Sequence, residues 1–276
     1  MKDLIDFKKN VYSQHGEDGI IKEILYRLKD FTDNQYCEFG AWDGIHLSNV
    51  YALIKNTNFK ALLIEPDKKK FIELCKNNPS PSIIKLNTFV GLEDKNKIDT
   101  LLKQNNFNIN FDFLSIDVDS IDYYIFESLD IYKPKLICIE YNPTIPNDVD
   151  FVQKEYSSNQ GASALSLIKL AKSKSYHPVC TTETNLFFIH ANYKKQVIGD
   201  KDLKINDLID DTKIKNYIFY GYDGSIFTSR EVRLPWHNII VKDLNVLKWF
   251  LKKYPRNYNF PERLLFKIYR KFKNYF

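Results

Sequence analysis

The chain alternates short apolar runs with segments of helical periodicity between positions 36 and 193. Uninterrupted apolar runs are typical of strands buried on both faces of a parallel sheet, with crossover helices between them. The predicted strands are Tyr36–Phe39, Ala61–Glu65, Ile83–Leu86, Phe111–Asp117 and Leu136–Glu140. The predicted helices are Ser48–Lys55, Lys68–Asn77, Glu93–Gln104, Ile121–Ser128 and Ala164–Lys174, with Ser48 and Asp67 as candidate caps of the first two.

The last predicted helix is followed by a hairpin rather than by another crossover. Two strand-like runs, His177–Thr181 and Leu186–His190, are separated by a short polar turn. A dinucleotide-binding domain would continue with parallel strands. The element order therefore favours a different α/β fold, a mostly parallel seven-stranded sheet that ends in an antiparallel hairpin.

Two further segments flank this core. Before it, Asp18–Leu28 has the apolar periodicity of a helix, and after it a strand and turn are predicted at Tyr217–Phe227. The chain ends in an amphipathic helix with one apolar stripe: Leu265, Ile268, Tyr269, Phe272 and Phe276. We predict three parts, an N-terminal helical segment at 1–35, a core at 36–193 and a C-terminal extension at 194–276.

The charge of the chain is unevenly distributed. The 276 residues carry a formal net charge of +5, but the sequence from Lys242 onward carries +8 and the rest −3. A nucleic-acid-binding surface is not expected, because the basic residues are concentrated in the tail. For the amphipathic helix, packing on the core or formation of a homodimer is preferred over membrane contact.

The N-terminus and the cysteines bear on location. The start, MKDLIDFKKN, lacks the apolar core of a secretory signal, and no apolar run reaches the length of a membrane span. A cytoplasmic protein without a membrane span is therefore expected. Cys37, Cys75, Cys138 and Cys180 show no CxxC spacing, which predicts free, buried thiols.

The first strand ends in the stretch YCEFGAWDG, residues 36–44. Gly40 and Gly44 can bring the backbone close to a ligand, although glycines after a strand are also ordinary turn residues. The second strand ends in Glu65, roughly twenty residues further on, where nucleotide-binding α/β folds place the carboxylate that holds ribose hydroxyls. Together the two features favour a cofactor that contains adenosine.

Four motifs in this order resemble those of the FkbM-type methyltransferases, a group with the class I S-adenosylmethionine-dependent fold. They are EFGAWDG, LIEPD, NTFVG at 87–91 and SIDVDSIDY at 115–123, and the resemblance covers roughly residues 12–193. It implies a Rossmann-like methyltransferase fold and S-adenosylmethionine as cofactor. Ser120 departs from the motif, because a glycine usually follows its DVD-like part.

The resemblance also implies roles for single residues. It places Glu65 at the ribose, the stretch from Asn87 to Val90 at the adenine and Asp117 at the floor of the pocket. The methionine end of the cofactor would be lined by Glu38, Gly40, Asp43 and Gly44. The upstream stretch YSQHGEDG would fold over the cofactor with Ser13, Gln14 and Glu17 as contacts, or alternatively form a polar cap on the helix at Asp18.

A second group of polar residues follows strands four and five: Asp117, Asp119, Glu140 and Asn142. Oxygen ligands of this kind suit Mg²⁺, Ca²⁺ or Mn²⁺. The group resembles the ligands of metal-dependent catechol-type and macrolide-sugar O-methyltransferases, but the lysine base of the catechol type would fall at Ser120. Alternatively, Asp117 binds the cofactor, Asp119 caps a helix, and Glu140 and Asn142 shape a turn.

The predicted function is methyl transfer from S-adenosylmethionine to an oxygen. The resemblance implies that the acceptor is a sugar hydroxyl or a related small molecule, in surface-polysaccharide or natural-product biosynthesis. Asp119 and His15 are candidate bases, and His237 is a further one. A bound Mg²⁺ or Mn²⁺ is a candidate aid to catalysis. Transfer to an amine, or a non-catalytic assembly subunit with a methyltransferase fold, are the alternatives.

Overall fold

The structure is a computed structural model, and it describes residues 2–55, 58–155, 159–222, 226–234, 239–241 and 258–272. The chain forms two compact units, residues 1–213 and residues 214–276. The first unit contains the predicted core. The functional division at 35/36 and 193/194 stays a prediction.

The first unit is built on a seven-stranded sheet with the order β3-β2-β1-β4-β5-β7-β6. β7 runs antiparallel to both of its neighbours, and the pairs among β1 to β5 are parallel. The strands are β1 Gln35–Phe39, β2 Lys60–Ile64, β3 Ile83–Leu86, β4 Phe113–Ile116, β5 Leu136–Glu140, β6 Tyr176–Thr181 and β7 Asn185–His190. This topology confirms the predicted fold class.

Helices cover both faces of the sheet. They are α1 Glu17–Arg27, α2 Tyr51–Ile54, α3 Lys68–Asn77, α4 Ile98–Gln104, α5 Asp122–Ser128, α6 Ala164–Ser173, α7 Lys194–Ile198 and α8 Ile205–Leu208. Two short 3-10 helices lie at Leu4–Phe7 and Ala191–Tyr193. One face of the sheet packs against apolar residues of α4, α5 and α6, and the other against those of α1, α2, α3 and α7.

Alternate strand residues contribute to these two cores. In β2, Leu62 and Ile64 belong to one core and Ala61 and Leu63 to the other, and all four are buried. Side chains of successive strand residues point to opposite faces, so a strand that is covered on both sides is apolar at most of its positions. This explains why the strands are visible in the sequence as uninterrupted apolar runs.

Two predicted helices begin later than expected. α2 starts at Tyr51 instead of Ser48, because Leu47 has a φ of 59° and the next two residues bind the carboxylate of Glu38. α4 starts at Ile98 instead of Glu93, because Lys97 is still extended. β4 is also shorter than predicted, so Asp117 lies one residue beyond it.

Two predicted helix caps and four predicted free thiols lie within the first unit. The Asp67 carboxylate accepts the N–H groups of Lys69 and Lys70 and caps α3, as predicted. The Ser48 hydroxyl accepts the N–H of Tyr51, the first residue of α2. All four cysteines are free thiols; Cys75 is half-buried and the other three are buried.

Within its described residues, 214–222, 226–234, 239–241 and 258–272, the second unit shows two small antiparallel strand pairs and one long helix. β8 Ile218–Tyr220 pairs with β9 Ile226–Thr228, and β10 Val232–Leu234 pairs with β11 Ile239–Val241. The helix α9 spans Phe260–Phe272, so Phe276 of the predicted stripe lies outside the described residues. Among the helices described, none combines the length and the apolar character that crossing a bilayer requires.

Candidate functional site

The candidate site lies at the carboxyl ends of β1 and β4, where the strand order changes direction. Ligands of open α/β sheets bind in the crevice outside such a point. Gly40 follows β1 with a φ of 74°, and a Cβ at this position would lie 1.8 Å from the carbonyl oxygen of Asp117. Gly40 therefore allows the chain after β4 to cross directly over the end of β1.

We predict that Gly40→Ala destabilises the protein by about 3 kcal/mol or more, since left-handed strain and overlap with a backbone oxygen both oppose the methyl group. Gly161→Ala is the matched control: Gly161 also has a positive φ, but no atom lies within 4 Å of its added Cβ. Gly161→Ala should lower the free energy of unfolding by only about 1 kcal/mol. Urea denaturation of both variants measures the difference, and equal losses would contradict the steric explanation.

Glu38 is buried in β1 and holds the segment that follows the glycine loop. Its carboxylate accepts the hydroxyl of Ser48 at 2.5 Å and the N–H of Asn49 at 2.7 Å. The Asn49 amide in turn donates to the hydroxyl of Ser115 in β4 at 3.0 Å. Burial raises the pKa of Glu38 to about 7, against the opposing effect of these donors.

The raised pKa of Glu38 predicts a pH-dependent stability. The folded protein holds this proton to a higher pH than the unfolded chain, so stability falls as the pH rises from about 4.5 through about 7. Glu38→Gln removes this dependence. Denaturation without ligand at about pH 4.5 and about pH 8 measures the free energy of unfolding of both proteins. Between these two pH values the wild type should lose about 3 kcal/mol more of this free energy than the variant. A constant difference would contradict the assignment.

Glu65 follows β2 and is also buried. One carboxylate oxygen accepts the N–H of Trp42 at 2.8 Å and the other accepts the N–H of Asp67 at 2.7 Å. Burial raises the pKa of Glu65. These bonds link the glycine loop to the end of β2 and orient a carboxylate whose oxygens each have a further lone pair for a ligand.

The predicted adenine stretch adjoins Glu65. The amide of Asn87 donates to the carbonyl oxygens of Glu65 and Pro66 at 2.8 and 3.0 Å. Val90 is buried in the core, whereas Asn87 itself is exposed. The structure therefore brings Asn87 to the end of β2, and Val90 supports this loop from the apolar side.

Asp43 and Gly44 shape the turn after β1. An Asp43 carboxylate oxygen accepts the N–H groups of Ile45 and His46 at 2.9 and 2.7 Å. The Gly44 carbonyl accepts the amide of Asn78, whose Nδ2 would lie 2.3 Å from a Cβ at Gly44. Both residues thus have structural partners on the side of α3, and their predicted contact with a cofactor stays a prediction.

The N-terminal stretch YSQHGEDG is held by two buried carboxylates. An Asp18 oxygen accepts the N–H groups of Val11, Tyr12 and Ser13 and the hydroxyl of Ser13, which is itself buried. Glu17 accepts the N–H of His15 at 2.7 Å and the hydroxyl of Thr182 at 2.6 Å. The loop is therefore fastened both to α1 and to the hairpin turn between β6 and β7.

The charges of this loop act on carboxylates at the strand ends. The negative charge of Asp18 contributes to the raised pKa of Glu38, and that of Glu17 contributes to the raised pKa of Asp117. Gln14 is exposed in the same loop. Thus the loop lies near the strand ends, while contacts of Ser13, Gln14 and Glu17 with a cofactor stay predictions.

His15 lies beside Glu183 of the hairpin turn. Its Nδ1 atom is 3.8 Å from a Glu183 carboxylate oxygen, and Lys8 donates to both oxygens of that carboxylate at 2.7 and 2.8 Å. His15 therefore lies against the hairpin turn, and its role as a base stays a prediction. His237 lies outside the described residues.

Three of the four predicted metal ligands come together after β4 and β5. Asp117, Asp119 and Glu140 can each offer a carboxylate oxygen, and these oxygens lie within 4.8 Å of one another. Asp119 is exposed and has a φ of 60°, which turns the chain over the strand end. The predicted convergence of these three residues is therefore present.

Asn142, the fourth predicted ligand, has other partners. Its side-chain oxygen accepts the N–H and the hydroxyl of Thr144 at 2.9 and 2.6 Å, and its amide donates to the Gln160 carbonyl at 2.9 Å. This is the turn-forming role of the alternative interpretation. Bound in this way, the Asn142 oxygen has its lone pairs directed to local donors.

Burial and mutual repulsion control the protonation of this cluster. Burial first, and then the charges of Asp117, Asp122 and Asp119, raise the pKa of Glu140 to about 9. The pKa of Asp117 is raised well above its usual range by burial and by the neighbouring carboxylates. The cluster therefore favours protons or a cation, because its charged form is unstable in isolation.

The sequence interpretation missed three polar residues that organise the site: Asp122, Asn49 and Asp18. Asp122 accepts the N–H groups of Val118 and Ser120 at 2.9 and 3.1 Å and so holds the loop that carries Asp117 and Asp119. Burial raises its pKa to about 6. Its position in SIDVDSIDY, within the motif, was the available signal. No comparable signal marked Asn49, whose partners lie on a distant strand.

No protein-family model and no curated protein matches the chain. Among solved structures it is similar to the N-terminal domain of EvdMO1 with S-adenosylhomocysteine bound, at 9% identity and a TM-score of 0.41, over 64% of this chain and 82% of that one. The CMeT domain of the citrinin polyketide synthase gives 10% identity and a TM-score of 0.42, over 69% and 60%.

TrmK of M. capricolum in complex with S-adenosylhomocysteine gives 14% identity and a TM-score of 0.37, over 60% of this chain and 65% of that one. At such identities and scores the neighbours carry no activity over to this chain. The function must therefore be inferred from the residues of the site.

Proposed function

We propose that the protein is an S-adenosylmethionine-dependent methyltransferase. The observation that carries the proposal is the group of carboxylates at the switch point of a sheet with this strand order: Glu38 in β1 and Glu65 after β2, which are buried, and Asp117 after β4, which is half-buried. Their raised pKa values mark a site that gains stability when it takes up positive charge.

The charge of the site favours S-adenosylmethionine over a dinucleotide. The sulfonium and the ammonium group of S-adenosylmethionine are cationic, whereas a dinucleotide would bring a doubly negative pyrophosphate next to carboxylates. Dinucleotide sites also use a GxGxxG turn at a helix N-terminus, and EFGAWDG does not have this spacing. The cofactor with the fitting charge is therefore the methyl donor.

The proposed roles of the cofactor-binding residues follow their positions. Glu65 accepts the ribose hydroxyls, and the loop from Asn87 to Val90 lies at the adenine. The methionine end is assigned to the residues around the end of β1 and the floor of the crevice: Glu38, Gly40, Asp43, Gly44 and Asp117. The N-terminal loop with Ser13, Gln14 and Glu17 covers the bound cofactor.

We propose oxygen methylation by an enzyme of the FkbM type, with a sugar hydroxyl or a related small molecule as acceptor. The acceptor oxygen attacks the sulfonium methyl in line and loses a proton, so the protein chiefly positions the two reactants and provides a proton acceptor. Asp119 is exposed at the mouth of the acidic cluster and is the first candidate for that proton. His15 in the N-terminal loop is the second.

The acidic cluster fits a divalent cation by the chemistry of its donors. Carboxylate oxygens are hard ligands that suit Mg²⁺ and Mn²⁺, and Asp117, Asp119 and Glu140 offer three of them close together. A bound ion would supply Lewis acidity to the acceptor oxygen and would offset the repulsion among the carboxylates. In that arrangement Glu140 and Asp117 hold the ion, and Asn142 supports the neighbouring turn.

Calorimetric titration with S-adenosylhomocysteine tests the cofactor assignment, with NAD⁺ as the competing ligand. Binding of the first and not of the second supports the proposal; the reverse would overturn it. A second assay with S-adenosylmethionine and paired hydroxy and amino sugars then distinguishes oxygen from nitrogen methylation. Binding without transfer to any acceptor would favour the assembly-subunit alternative.

A further inference from the structure

The helix α9 of the second unit has a defined start and two different sides. Asn259 caps it: its side-chain oxygen accepts the N–H of Glu262 at 3.0 Å, while the Glu262 carboxylate accepts the N–H of Asn259 at 2.8 Å. This reciprocal pair is a capping box, which stabilises the first turn of a helix. The helix is therefore specified locally by its own sequence.

One side of α9 is packed within its own unit. The ring of Phe266 contacts that of Tyr258 edge to face, with ring centroids 5.5 Å apart, and Arg270 lies over the Phe266 ring at 5.9 Å. The Nε of Arg263 donates to the carbonyl oxygen of Tyr258 at 2.8 Å. Phe266 thus has an aromatic and a cationic neighbour within the second unit.

The other side of α9 presents large apolar side chains to solvent. Leu264 is 52% exposed, Leu265 47% and Ile268 47%, and Phe260 at the helix start is 81% exposed. Leu264 and Ile268 are four residues apart and Leu265 adjoins them, so the three form one continuous arc on the helix. An arc of this kind requires a partner that removes it from water.

The charges beside this arc decide what the partner is. Arg263, Lys267, Arg270 and Lys271 lie along α9 with Glu262 as the acidic residue of the helix. The sequence from Lys242 onward carries +8. Two copies paired through this face would bring two strongly basic segments together, whereas an anionic bilayer offers both apolar depth and negative charge.

We propose that α9 is an interfacial helix that binds the protein to an anionic membrane surface. Leu264, Leu265 and Ile268 enter the boundary between headgroups and acyl chains, and Lys267 and Lys271, which flank the arc, contact lipid phosphates. The sequence alone favoured packing or dimerisation; the exposure of the arc and the basic residues of α9 favour the membrane instead. The inference is independent of the methyltransferase assignment.

The exposed hairpin of β8 and β9 in the same unit is consistent with this role. Tyr220 is 83% exposed and Tyr222, just after the strand, is 95% exposed. Tyrosine is favoured at membrane interfaces because its ring is apolar and its hydroxyl remains hydrated. The second unit therefore offers two separate elements with the composition of an interfacial surface.

Flotation of the full-length protein with vesicles tests the proposal. We expect binding to phosphatidylcholine mixed with phosphatidylglycerol, weakened by salt, and little binding to phosphatidylcholine alone. Lys267→Gln and Lys271→Gln together should weaken binding by about fivefold per charge and so roughly 25-fold. The control replaces two exposed lysines of the first unit by glutamine: Lys76 and Lys103.

A second variant tests the apolar arc. Leu265→Glu with Ile268→Glu should abolish vesicle binding, while Ile109→Glu with Ile131→Glu, two exposed isoleucines of the first unit, should not. Circular dichroism and thermal denaturation report whether each variant is folded. Equal binding to neutral vesicles, or no binding at all, would overturn the proposal. So would a wild-type dimer in light scattering that dissociates in the variant Leu265→Glu with Ile268→Glu.

Discussion

Glu140→Gln is expected to lower methyl transfer by roughly a hundredfold or more while leaving the affinity for S-adenosylhomocysteine within about threefold of wild type. The reason is the position of Glu140, whose oxygen lies within 4.8 Å of those of Asp117 and Asp119 at the end of β5. If these carboxylates hold a cation, Glu140 acts on the acceptor side. In the proposed assignment Glu140 is not among the residues that would bind the donor.

Two controls make this result specific. Glu127→Gln removes an exposed carboxylate from α5, the helix that follows the loop of Asp117, and should leave turnover unchanged. Exhaustive EDTA treatment of wild type should stop transfer, and Mg²⁺ or Mn²⁺ should restore it. Undiminished activity in EDTA would exclude the metal proposal and would leave Asp119 or His15 as the base.

Glu65→Ala is expected to weaken S-adenosylhomocysteine binding by about 1.5–3 kcal/mol, or roughly tenfold to a hundredfold. The carboxylate of Glu65 is buried and oriented by the N–H groups of Trp42 and Asp67. Each oxygen can still accept a ribose hydroxyl, and charge-assisted hydrogen bonds of this kind are strong. Calorimetry of the folded variant measures the loss.

Two further variants distinguish a loss of ligand binding from a loss of the hydrogen bonds by which Glu65 holds the glycine loop. Glu65→Gln retains the size of the side chain but offers one acceptor instead of two, so we expect an intermediate loss of affinity. Glu73→Ala removes a half-exposed carboxylate of α3 that pairs with Lys70, and it should have no effect. Unchanged affinity in Glu65→Ala would end the assignment of Glu65 to the ribose.

The strand-end residues were predictable because they depend on local sequence and on one topological rule. The carboxyl ends of parallel strands meet at one edge of the sheet, so Asp117 and Glu140 were expected to converge once two neighbouring strands had been recognised. The structure places their oxygens close together. The supporting role of Asn49 was not predictable, since Asn49 and its partner Ser115 are 66 positions apart in the sequence.

The sequence by itself determined the strands, the order of the elements and the amphipathic helix, because hydrophobic periodicity, caps and turn residues act over a few positions. Tertiary structure decided which carboxylates became neighbours and how far burial raised the pKa values of Glu38 and Glu140. It also decided where α2 begins, since Glu38 binds Ser48 and Asn49 in a turn that would otherwise extend the helix. These properties depend on contacts between distant segments and on exclusion of water, and neither is encoded in a local pattern.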